Sequence, residues 1–205
     1  GDIFAGYIAR KMGLPIENLV IATNQNDILH RTLKTGSYSQ KGVTPSISPS
    51  MDIQVSSNFE RALFDAYGRD GSAVAQLMDE LQSNGEFKIS QGAISMLRDT
   101  FVSGSASEAQ TMAMIKAMKQ RTGEVLCPHS AVAVKVAEEH LGAEPMITLA
   151  TAHPAKFPDA VNEACGIHPP LPAHMADLFK RDERFTQVAN DLEALKALIL
   201  DRVTK

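Results

Sequence analysis

The stretch ITLATAHPAKF, Ile147 to Phe157, decides the reading of the fold. An apolar run ends abruptly in Thr-Ala-His-Pro. The longer segment PMITLATA, 145–152, reads as a strand. Pro154 reads as the opening of a helix, AKFPDAVNEACG, because proline is tolerated in a first helical turn. Thr151 then sits at the C-terminal end of a strand, and ligands of open α/β sheets bind beyond such ends. The same hydroxyl could instead satisfy a backbone group at the turn, and His153-Pro154 could be a plain helix start.

Elements on either side follow an alternating pattern. Asp2 is a good N-cap for IFAGYIARKM, and Gly13 a good stop. NLVIATN, 18–24, is a short β-branched run and reads as a strand. DILHRTLKTG then reads as a helix ended by Gly36. Helix, strand and helix in succession point to an α/β layer. The segment SYSQKGVTPSISPSM, 37–51, holds five Ser and two Pro. It reads as irregular throughout, either a linker or a mobile loop over a site. Residues 57–97 are helical in pattern, with NFERALFDAYG and SAVAQLMDELQSNG each ending at Gly. DTFVSGSAS reads as strand and turn. Ser105 and Glu108 have capping-box spacing before AQTMAMIKAMKQRTG. SAVAVKVAEEHLG follows, capped by Ser130. QVANDLEALKALILDRV is a helix with Val188, Leu192, Leu195 and Ile199 on one stripe. The expected fold class is α/β, a parallel sheet covered by helices.

Composition excludes several functions. The chain has 205 residues, 44% hydrophobic and 21% charged, with net charge −4. That is ordinary globular usage, with a core resting on aliphatic residues and nine Met because Trp is absent. Lys and Arg are scattered, so neither a nucleic-acid stripe nor a polybasic membrane patch is expected. No apolar stretch approaches a membrane span. Two cysteines, Cys127 and Cys165, fit a reducing, cytoplasmic compartment. Cys165, His168 and His174 lack a second ligand pair, so no metal is expected. There is no G-x-S-x-G, which removes the common serine hydrolase pattern.

LATAHPAKFPDAV resembles a characteristic segment of threonine synthases, pyridoxal-phosphate (PLP) enzymes of fold type II, the group of the tryptophan synthase β subunit. VIATNQNDILHRTLKTGSYS, PSISPSMDIQVSSNFERALFD and CPHSAVAVKVA resemble further segments of that family, in the same order. The family's phosphate loop, Gly-Asn-Phe-Gly-Asp, runs into a helix, and this chain opens on Gly1-Asp2. The resemblance therefore implies that residues 1–205 are a single C-terminal portion of a larger PLP-binding catalytic domain. The Schiff-base lysine is expected upstream, since none of the eleven lysines stands in the family's context. No catalytic residue is then expected within the chain itself.

The implied activity is conversion of O-phosphohomoserine and water to L-threonine and phosphate, the last step of threonine biosynthesis, by a carbon–oxygen lyase acting on phosphates. The chain alone is expected to be inactive. The alternative is a non-catalytic threonine-synthase-like protein that binds a phosphorylated metabolite or a partner protein. The oligomeric state is left as monomer or homodimer. By the resemblance, Gly1 would face the cofactor phosphate and Thr151 the pyridine nitrogen. Substrate contacts are expected among Asn24, Asn26, Asn58, Arg61, His129 and Lys156. Several have a plain alternative: Asn26 or Asp27 as a helix cap, Arg61 and Lys156 as solvated surface charges, and His129 as a turn residue.

Overall fold

The computed structural model describes residues 1–204. They form two compact units, 1–169 and 170 onward.

In the first unit, α1 (Asp2–Lys11) leads to β1 (Leu19–Thr23), α2 (Ile28–Thr35) and β2 (Ser37–Ser39). A loop with one 3-10 turn, Pro49–Met51, leads to α3 (Ser57–Ala66) and α4 (Gly71–Asn84). Then come β3 (Glu86–Lys88), α5 (Gln91–Arg98), β4 (Phe101–Ser105), α6 (Glu108–Thr122), α7 (Pro128–Ala137) and α8 (Pro158–Cys165). β1 and β4 pair in parallel, Leu19 opposite Phe101 through Thr23 opposite Ser105. Helices pack on the pair, and this parallel α/β arrangement is the fold class the alternation predicted.

Side chains of β1 alternate between two cores, as a period of two requires. Leu19 and Ile21 join the larger core, with Tyr7 of α1, Ile28 and Leu33 of α2, Leu63 of α3 and Phe101 of β4. Val20 and Ala22 pack against Val132 and Val136 of α7 and Met51. α1 and α7 therefore cover opposite faces of β1. The approach of α7 is close: a Cβ on Gly104 would stand 2.7 Å from Val136 Cγ1.

Four local expectations differ. Asp2 is the first helical residue, and Gly1 is the N-cap of α1. The capping box before α6 is formed by Ser107 and Gln110, where both reciprocal bonds exist, and not by Ser105 and Glu108. α7 is capped by Cys127, whose sulfur accepts the Ser130 N–H, so Ser130 lies inside the helix. Residues 145–150 form no strand. Strand geometry needs a neighbour to satisfy its N–H and C=O groups, and this segment pairs with none among the described residues. Thr151 thus follows an irregular segment. Pro154 opens a 3-10 turn, Pro154–Lys156, and α8 begins four residues later at Pro158.

The segment 37–51 is also more ordered than its composition suggested. Ser37–Ser39 pairs antiparallel with β3. Tyr38 stacks on Phe87 at 4.9 Å and on Phe59 at 5.6 Å.

The second unit holds 3-10 turns at Ala173–Met175 and Leu178–Lys180, and α9 (Leu192–Val203). Asp191 caps α9 by accepting the Ala194 N–H. Arg202 donates to Thr186 Oγ1, tying the helix to the chain before it. No described helix is long and apolar enough to cross a membrane.

Candidate functional site

β1 ends at Thr23, and a polar knot begins there. Asn24 Oδ1 accepts the Asn26 N–H at 2.9 Å, turning the chain away from the sheet. The Asn24 amide nitrogen lies 2.7–2.9 Å from Ser46 Oγ, Ser48 Oγ and Asp52 Oδ1 and shares its two hydrogens among them. Asn26 exchanges bonds with the Thr44 backbone, accepting its N–H and donating to its carbonyl, and donates to Asp52 Oδ1. Ser46 gives Asp52 both its N–H and its hydroxyl. The loop 44–52 is therefore clamped to the end of β1 by side chains. Asn24 and Asn26 are buried, and their amides are committed to that clamp. Both amides are thus engaged within the protein, and neither Asn26 nor Asp27 caps α2 through its side chain, which corrects the plain alternative of a side-chain cap there. Asp27 instead pairs with Arg31 at 2.8 Å.

The first turn of α7 meets this loop. The Ser50 N–H donates to His129 Nε2 at 3.2 Å, which fixes that nitrogen as the acceptor. His129 is buried, and its ring lies 4.7 Å from that of Phe157. Its Nδ1 is buried with no well-aligned hydrogen bond among the described residues. The Cys127 sulfur accepts the Ser130 N–H and lies 3.3 Å from Ser130 Oγ. Burial pushes the Cys127 thiol up, but the His129 ring and the Ser130 donors outweigh it and bring it down to about 7.

Thr151 joins this turn. Its N–H donates to Ser130 Oγ at 3.3 Å. Its hydroxyl has no protein partner among the described residues and is exposed. The plain alternative, a hydroxyl used up by the turn, is not what the structure has. His153 supplies the turn chemistry instead, accepting the Ala155 N–H on Nδ1. The Lys156 N–H donates to the His153 carbonyl at 3.1 Å, while its exposed side chain has no hydrogen bond or ion pair among the described residues.

A second group gathers where α1 and α3 begin. Gly1 lies beside Asn58, whose Nδ2 would be 3.7 Å from a Cβ on Gly1. Asn58 Oδ1 accepts from Arg61 Nη1 at 3.2 Å, and the guanidinium lies over Phe4 at 5.7 Å. No side chain caps α1 or α3, so their first-turn N–H groups are open to an anion. An open groove of about 580 Å³ borders Arg61, between Phe4, Ile8, Phe64 and Arg69. It touches neither Thr151 nor the α7 turn. No hydrogen bond or ring contact joins the two groups among the described residues.

The structure thus brings Gly1, Asn58 and Arg61 together, and separately His129 and Thr151, which Ser130 and Phe157 connect. Ser130, Cys127 and Asp52 were not singled out for this site from the sequence. Ser130 was legible only as a helix cap, because nothing local reveals that residue 151 returns to it.

Residues 130–199 match the family model described as "Threonine synthase, C-terminal". The chain is 48% identical over 202 residues to threonine synthase of Pseudomonas aeruginosa, covering 97% of this chain and 43% of that protein. Its relatives are named threonine synthase or threonine synthase-like, among the latter threonine synthase-like 2 of Homo sapiens, 38% identical over 91% of this chain and 39% of that protein. Among solved structures, PLP-bound threonine synthase from Brucella melitensis superposes with a TM-score of 0.90 at 53% identity. That match covers 97% of this chain and 43% of the other. Yeast threonine synthase superposes with a TM-score of 0.83 at 37% identity, covering 99% and 45%. The chain spans less than half the length of these threonine synthases.

Proposed function

We propose that this chain is part of a PLP-dependent threonine synthase, acting on O-phosphohomoserine and water to give L-threonine and phosphate. The observation that carries the reading is the 53% identity and TM-score of 0.90 to a PLP-bound threonine synthase over 97% of the chain. On this reading residues 1–205 are one portion of a larger catalytic domain.

The residues present fit PLP at two points. Thr151 offers an unpartnered hydroxyl on a backbone held by Ser130, suited to the pyridine nitrogen. The uncapped start of α1 at Gly1 offers N–H groups to the cofactor's phosphate. PLP, when bound, supplies an electron sink for carbanion chemistry. A neutral hydroxyl at the ring nitrogen does not force its protonation as a carboxylate would, so Thr151 moderates that sink. Arg61 and Asn58 are assigned to the substrate phosphate, where a guanidinium makes charge-assisted bonds. Asn58 holds Arg61 in place from one helical turn away. Lys156 is a free cation next to the Thr151 segment and is assigned to a phosphate oxygen. His129 orients its neighbours from a buried position. The clamp around Asp52 fixes the loop against which His129 is set.

The test is release of phosphate and threonine from O-phosphohomoserine by the complete polypeptide that contains these residues, with PLP. PLP-dependent turnover supports the reading. A polypeptide that binds a phosphorylated ligand without turning it over would make it a non-catalytic relative.

A further inference from the structure

The first turn of α7 grips the segment 151–157 at two places. Ser130 Oγ accepts the Thr151 N–H at 3.3 Å. The His129 ring packs against Phe157 at 4.7 Å. The turn is held in its own right. Cys127 Sγ caps it through the Ser130 N–H, and Ser50 fixes His129 from the clamped loop.

Ser130 has a hydroxyl with one hydrogen to give and lone pairs to accept. Ser130 Oγ accepts from Thr151 and also lies 3.3 Å from Cys127 Sγ, a contact in which either atom can donate. Both bonds are buried on the Ser130 side. The result is a continuous chain, from the Thr151 N–H to Ser130 Oγ and from Ser130 Oγ to the Cys127 sulfur, where either atom can donate. Thr151 lies in a segment without ladder bonds. This single N–H bond is therefore what registers its backbone, while its hydroxyl stays free.

We propose that Ser130 is the positioning residue for Thr151: its hydroxyl oxygen, held in place beside Cys127, fixes the backbone from which the Thr151 hydroxyl is presented to the cofactor's ring nitrogen. This deepens the functional reading above and rests on it. Ser130 touches neither substrate nor cofactor in this account. It acts through Thr151, so removing it should matter only while the Thr151 hydroxyl is present.

The experiment compares Ser130→Ala, Ser130→Thr, Thr151→Val and the double variant Ser130→Ala/Thr151→Val in the complete polypeptide. One readout needs no turnover: amide hydrogen exchange of a peptide spanning 147–157, measured without cofactor. Ser130→Ala should speed exchange at Thr151, and Ser130→Thr, which keeps the hydroxyl, should restore protection. In turnover, Ser130→Ala should lower kcat about tenfold, the worth of one hydrogen bond, with KM changed less than about twofold. It should add nothing to the loss already caused by Thr151→Val, because coupled residues are non-additive. Unchanged exchange in Ser130→Ala, or a full additional loss in the double variant, would overturn the proposal. Failure of the underlying reading is visible separately, as wild-type protein that neither binds PLP nor releases phosphate.

Discussion

At the scale of single residues, the account turns on what each polar atom is already doing. The Thr151 hydroxyl has no protein partner, so Thr151→Val removes no internal bond and keeps the volume. Stability should change by less than about 0.5 kcal/mol. If the hydroxyl meets the ring nitrogen, kcat should fall roughly tenfold or more, since about 1.4 kcal/mol is a decade in rate. Steady-state kinetics and urea unfolding together check this, and wild-type kcat in the variant would remove the assignment. Cys127 gives a pH test. Its pKa is lowered from 9.0 to about 7 in the fold, because the His129 and Ser130 interactions outweigh burial. The folded state therefore favours the thiolate. That stabilisation is complete above the unfolded value and is lost as pH falls through 7. Thermal stability should rise between pH 7 and 9, on the order of 2 kcal/mol at about 1.4 per unit. In Cys127→Ala this part of the rise should be missing. Melting temperature against pH, in both proteins, decides it.

At the scale of elements, the close contact between β4 and α7 makes its own prediction. A Cβ at position 104 would overlap the fully buried Val136, so something there must shift. Gly104→Ala should cost about 1–3 kcal/mol, the usual range for overpacking. Adding Val136→Ala should recover part of it, and equilibrium unfolding of the single and double variants measures the recovery. The loop 44–52 offers another test. Asp52 accepts from Asn24, Asn26 and Ser46. Asp52→Ala leaves buried donors unmade, at about 1–3 kcal/mol. Hydrogen exchange across 44–52 should be slow in the wild type without ligand and accelerate in the variant; fast exchange in the wild type would refute the clamp.

The same elements explain what the sequence could reveal. α2 and α6 end at Gly36 and Gly123, and β1 is a short β-branched run between turn residues, so their place and type were legible. β2 and β3 have three residues each, too few for periodicity to register, and their stacking of Tyr38 on Phe87 is a tertiary fact. The run 145–150 has a strand's composition without a neighbour to pair with, and pairing decides strands. The Asn24 and Asn26 amides looked available because their acceptors lie some twenty residues away. Thr151 was legible as an important hydroxyl, but Ser130, which holds it, lies twenty-one residues earlier and has no local signature.

At the scale of the whole molecule, the described groups bind and orient. None of them is assigned the covalent attachment of PLP. The 205 residues alone should therefore release no phosphate from O-phosphohomoserine. With added PLP, borohydride trapping and peptide mapping should find scattered, substoichiometric labelling of lysines. One stoichiometrically labelled lysine with steady turnover would contradict that. The central claim is that these residues belong to a working PLP-dependent threonine synthase. Its most direct test is the yield of threonine and phosphate from O-phosphohomoserine by the complete polypeptide containing them, with and without PLP. The account predicts one threonine per phosphate, only when PLP is present. A complete polypeptide that binds PLP and substrate yet forms no threonine would contradict it.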